Sequence, residues 1–84
     1  MTKEMKEVIK GGDKQFKYMM LSRLQSDCEY FLCYGNRKEK YLWSGNATDH
    51  IEDMKALYGS FPDDEKPEWL TAEQLEEYEK EMLK

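Results

Sequence analysis

The sequence predicts an all-α fold: a small bundle of three main helices, with a long first helix and irregular connections. Three observations carry this reading. Apolar residues recur at three- and four-residue steps through residues 14–34 and again through 48–59, the spacing that lines one face of a helix. Helix-start and helix-stop chemistry stands where those stripes begin and end. No segment reads as the apolar–polar alternation of a half-buried strand.

In chain order, residues 1–12 are a mixed-charge segment, expected to be flexible or to fray after a helical turn or two. Gly11-Gly12 separates it from the long helix beyond. A single helical domain is expected over 13–84. Asp13 is placed to accept from the orphan amides of the first long helix. Phe16, Met20, Leu24, Cys28 and Phe31 form its stripe, widened by Leu21 and Leu32, and Gly35 stands at a natural C′ position. Asn36-Arg37-Lys38-Glu39 reads as a cap with an acid three residues on, opening a short turn through Tyr41-Leu42-Trp43. Ser44-Gly45-Asn46 is turn chemistry.

The second main helix is expected from Thr48 to Gly59, with Ile51, Met54, Leu57 and Tyr58 inward and His50 in its first turn, capping or simply exposed. An acidic loop lies between Pro62 and Pro67. Thr71-Ala72-Glu73-Gln74 is a capping box, with Leu70 and Leu75 at the two positions of a hydrophobic staple. Leu75, Tyr78 and Met82 then supply the stripe of the last helix. The expected core is Met20, Leu24, Cys28, Phe31, Trp43, Ile51, Met54, Leu57, Trp69, Leu75 and Tyr78.

Eighty-four residues make one domain. The chain is only 39% hydrophobic, yet six Tyr, two Trp, three Phe and six Met supply large buried areas, enough to close a small core. Charged residues are 37% of the chain, and no run approaches the roughly 18 apolar residues of a membrane span. Met1-Thr2-Lys3-Glu4-Met5-Lys6 has no apolar h-region of a secretory signal, so a cytoplasmic setting is expected. Cys28 and Cys33 on one helix would lie about 8.5 Å apart, beyond disulfide reach; free thiols fit a reducing compartment.

The run from Phe16 to Leu32, with Arg23-Leu24-Gln25-Ser26-Asp27-Cys28-Glu29-Tyr30 at its centre, carries a resemblance. So do Gly35-Asn36-Arg37, Leu42-Trp43, the Ile51/Met54/Leu57-Tyr58 face and Pro67-Glu68-Trp69-Leu70. Together they resemble the large polyvalent protein-associated domain family, the eleventh of that series, over about residues 15–82. The resemblance implies a gene carried by phages, plasmids or conjugative elements, and implies no particular activity. Cys33 departs from the pattern, which has glycine there.

Chemistry-bearing residues are few. Cys28, Cys33 and His50 do not match zinc spacing, and His50 is the only base a thiol could use. No catalytic, cofactor-binding or metal-binding residues are assigned, and no enzyme, small-molecule substrate or cofactor is expected. Charge is uneven: residues 1–42 carry nine Lys/Arg against six Asp/Glu, and residues 43–84 carry four against twelve. The candidate interaction surface is therefore the basic one: Lys17, Arg23, Asp27, Arg37, Lys38 and Lys40. Lys/Arg near Tyr41 and Trp43 is a combination that nucleic-acid surfaces use, although net charge of −5 opposes non-specific DNA binding. The structural reading of Arg23 and Asp27 is an i,i+4 pair that clamps the loop after Gly35 onto the helix. Tyr18, Met19, Tyr30 and Tyr34 stand outside the main stripe, where they either mediate a dimer or pack beneath residues 1–12.

The expected function is a non-enzymatic accessory domain of a mobile genetic element that binds a protein partner first and nucleic acid second. The alternative is an acidic decoy, in which Asp63, Asp64, Glu65, Glu68 and the Glu residues of the last helix mimic phosphates and block a host DNA-binding or defence protein.

Overall fold

The computed structural model describes residues 2–33 and 37–83. Among the described residues four helices succeed one another: α1 (Lys3–Gly11), α2 (Lys14–Cys33), α3 (Ala47–Gly59) and α4 (Ala72–Met82). Short 3₁₀ turns stand at Glu39–Tyr41 and Asp63–Glu65, and no strand occurs among the described residues. The all-α class holds, with one correction. The 20-residue helix is the second, not the first, because the segment expected to fray forms the nine-residue α1.

Local chemistry explains each start. Thr2 caps α1 by accepting from the Met5 amide at 3.3 Å, and Asp13 caps α2 by accepting from the Phe16 amide at 2.8 Å. Gly12 makes the turn between them. A Cβ there would meet the Val8 carbonyl oxygen at 2.6 Å and the Phe16 ring at 3.0 Å, so a larger residue would push the two helices apart. Asn46 caps α3 one residue earlier than expected, accepting from the Asp49 amide at 2.8 Å, after Gly45 has taken a φ of 90° that other residues avoid. The capping box at Thr71 and Gln74 is complete, and Leu70 and Leu75 are both buried as a staple requires. Gly35, expected as C′ of the long helix, lies outside the described residues, as do Tyr34 and Asn36.

α2 is the spine. Leu21, Leu24, Cys28 and Phe31 face α3 and α4, where Ile51, Met54, Leu57, Leu75 and Met82 meet them. Leu42, Phe61 and Leu70 close the core from the connections, and Met5 of α1 is fully buried. Met20, Trp43 and Tyr78 pack against this core only partly buried, and Phe16, expected in the same stripe as Met20, is instead 44% exposed. Trp69 is corrected outright: it is 43% exposed, and Leu70 beside it takes the buried place. His50 is likewise corrected, since it is fully buried and not in an exposed turn. No helix among the described residues is long and apolar enough to cross a membrane.

Candidate interaction surface

Of the six residues singled out in the sequence, four are engaged in holding the fold. Asp27, on α2, pairs with Arg23 at 3.7 Å and accepts from the Trp43 amide at 3.1 Å. That pins the connection after α2 onto the helix. Arg37 has a φ of 58°, a left-handed conformation that costs a non-glycine residue roughly 1–2 kcal/mol. Its guanidinium donates to the carbonyls of Glu81 and Met82, each at 3.0 Å, and stacks 5.2 Å from the Phe31 ring. Arg37 thus satisfies carbonyls at the C-terminal end of α4 and complements the negative end of its dipole. Lys17 sits 4.7 Å over the Phe61 ring, in the cluster where Tyr18 stacks on Phe61 and donates to the Glu65 carbonyl.

Lys38 and Lys40 are exposed. Lys40 lies 5.3 Å from the Tyr41 ring, and Tyr41 meets Tyr30 of α2 edge-to-face at 5.2 Å. Tyr30 is about 20 Å along α2 from Lys17. The structure therefore leaves Lys17 with the 61–66 loop and gathers Lys38, Lys40 and Tyr41 at the other end of the helix.

The outer side of α2 carries more apolar surface than the basic residues alone suggest. Phe16, Met19 and Tyr30 are 44%, 64% and 43% exposed, and Tyr41 beside Tyr30 is 42% exposed. A hollow of about 410 Å³ lies against Ser26, Glu29, Tyr30 and Cys33. A larger open groove of about 670 Å³ runs between α1 and α2, with Val8, Phe16 and Trp43 along it and Glu4, Glu7 and Asp13 at its sides. The signal is present in the sequence, since Met19 and Tyr30 stand outside the core stripe; what the sequence lacks is which side of the bundle they meet.

The buried polar residues form a second group. Asp53 accepts from the Thr2 amide at 2.7 Å, the Thr2 hydroxyl at 2.8 Å and the Ser44 hydroxyl at 2.6 Å. His50 Nε2 donates to the Leu24 carbonyl at 2.9 Å, and its Nδ1 has no partner among the described residues. Burial pushes the imidazole pKa down, outweighing the pull of Leu24, Asp27 and Asp53. Burial pushes the Cys28 thiol up to about 12, with Asp27 and Glu29 adding to it, so Cys28 carries no thiolate at neutral pH. Among the described residues no three His, Cys, Asp or Glu side chains gather as a metal ion would require.

Comparison with curated proteins and with solved structures yields no match. A family model matches residues 14–82, from the first turn of α2 to the last residue of α4. The chain belongs to the large polyvalent protein-associated domain 11 family.

Proposed function

We propose that the chain is a non-enzymatic accessory domain of a mobile genetic element, and that it works by binding a protein. The observation that carries this reading is the outer side of α2, where Met19 and Tyr30, with Tyr41 alongside, are exposed together. Aromatic and methionine side chains enrich the centres of protein interfaces. Family membership supports the mobile-element setting through its association with large polyvalent proteins. Nucleic acid ranks second, because phosphate binding needs a run of available cations. Arg37 is committed to the end of α4, Arg23 to Asp27 and Lys17 to Phe61.

The test is capture from host lysate, with nuclease present and absent, using wild type, Tyr30→Ala/Tyr41→Ala and Lys38→Glu/Lys40→Glu. A nuclease-resistant partner lost with the tyrosines supports the reading. A partner that nuclease strips from the wild type, and that the lysine variant fails to capture even without nuclease, moves the assignment to nucleic acid. A DNA-binding protein retained by both variants but released by neutralising Glu73, Glu76 and Glu77 establishes the acidic decoy instead.

A further inference from the structure

The outer side of α2 has a pattern of its own. Phe16, Met19, Arg23, Ser26, Tyr30 and Cys33 succeed one another at steps of three, four, three, four and three, and all six are exposed. That is the a/d spacing of a helix that pairs with another helix. At 100° per residue the set centres about 150° round α2 from Leu21, Leu24, Cys28 and Phe31, so α2 carries one stripe for its own core and a second for something else.

We infer that a second copy of this chain covers the outer stripe, with the two α2 helices antiparallel. This rests on the reading of that side as the interaction surface. Reversal about a point between Arg23 and Ser26 brings Met19 against Tyr30 of the second copy, Phe16 against Cys33, and Arg23 against Ser26. Large side chains then meet small or adaptable ones in every layer. The hollow at Ser26, Glu29, Tyr30 and Cys33 receives the Met19 and Phe16 side chains of the second copy. Thioether and aromatic ring are a favourable pair.

Charge selects the same orientation. Within the stripe and its flanks the cation, Arg23, lies on one side of the reversal point and the exposed acid, Glu29, lies on the other, while Asp27 keeps the Trp43 amide of its own chain. Antiparallel pairing sets Arg23 of each copy, already held by its own Asp27, toward the exposed Glu29 of the other, twice. Parallel pairing sets Arg23 against Arg23. Antiparallel helices also oppose their dipoles, and a polar central layer of Arg23 and Ser26 fixes the register. The stripe is short, so the contact covers on the order of 1,000 Å², the lower bound for specific association, and dimerisation is expected at roughly micromolar to tens of micromolar concentration.

The test is sedimentation equilibrium of the whole chain, from about 2 to 200 µM. Wild type should pass from monomer to dimer over that range. Met19→Lys should stay monomeric throughout, with the wild-type melting temperature at about 2 µM, where both are monomers, since Met19 is 64% exposed in the single copy. Met19→Lys/Tyr30→Glu should recover the dimer, because the register sets the new charges opposite each other. Phe16→Cys should cross-link to native Cys33 of the second copy under mild oxidation, whereas wild-type Cys33 should not cross-link to itself, the two thiols lying about 25 Å apart along the pair. A wild type monomeric throughout, or a Cys33–Cys33 cross-link, overturns the proposal. If the wild type is monomeric while Tyr30→Ala/Tyr41→Ala still loses a lysate partner, the second copy falls and the protein-binding reading stands.

Discussion

Asp53 and His50 show what a single residue does in a core this small. The Asp53 carboxylate holds the start of α1 and the turn before α3 through three hydrogen bonds. Bonds to a buried charge are worth roughly 1.5–3 kcal/mol each, not additively. Asp53→Ala leaves the Thr2 and Ser44 donors unpaired, so it should cost on the order of 2–4 kcal/mol in urea unfolding. Loss of less than about 0.5 kcal/mol would show that the carboxylate does not anchor α1. For His50 the sign is set by its depressed folded pKa. Protonation would add a buried N–H at Nδ1, which has no partner among the described residues. Below about pH 6.5 the unfolded chain therefore binds more protons than the folded one. The His50 contribution is complete above that pH and is lost as pH falls below it. The melting temperature of wild type should drop between about pH 7.5 and 5.5 more than that of His50→Gln, which keeps a donor for Leu24. Parallel slopes would refute this. Neither residue is legible as buried from its type, because charged and titratable side chains are placed outside by default. Yet Ala47, His50, Met54 and Leu57 share a stripe at steps of three, four and three, and that spacing is the available signal.

At the scale of elements, starts are easier to read than neighbours. Asp13 and Thr71 cap as their sequence context implies, because capping is decided within four residues. Thr71→Ala should cost about 1 kcal/mol. The tryptophans are harder, because the choice between Trp69 and Leu70 depends on how the acidic loop delivers the chain to α4. Burial separates them. Trp69→Ala should cost under about 1 kcal/mol, while Trp43→Ala, packed against the core and held through its amide by Asp27, should cost roughly 2–4 kcal/mol. Equal losses in thermal unfolding would contradict that ranking. Arg37 reads as a surface cation in the sequence, because nothing local predicts that a guanidinium reaches an element 44 residues away. Arg37→Glu would put a negative charge against the α4 carbonyls, so it reports on stability as well as binding, and Lys38 and Lys40 are the cleaner probes of the surface.

At the scale of the molecule, the Cα atoms span 33 × 25 × 16 Å, and 16 Å is room for only two layers of helices at ordinary packing distance. In two layers every helix keeps an outer side, which is why a second apolar stripe on α2 has nowhere to hide. The same thinness gives α1 its importance. It lies before the family-matched span of 14–82, and its mixed charge reads as a frayed end. Yet Met5 is fully buried, Val8 and Ile9 pack against the core, and Thr2 is bound to Asp53. Deleting residues 1–12 removes the Met5 side chain, opens the core beneath it and strips two donors from a buried carboxylate. The cost should be on the order of 3–5 kcal/mol, a large share of the roughly 5–15 kcal/mol that holds a domain. Urea unfolding of the deletion should therefore show a markedly lower midpoint, and a slope reduced in proportion to the surface no longer buried. An unchanged midpoint would mean that α2, α3 and α4 form the cooperative unit alone and that α1 only rests upon it.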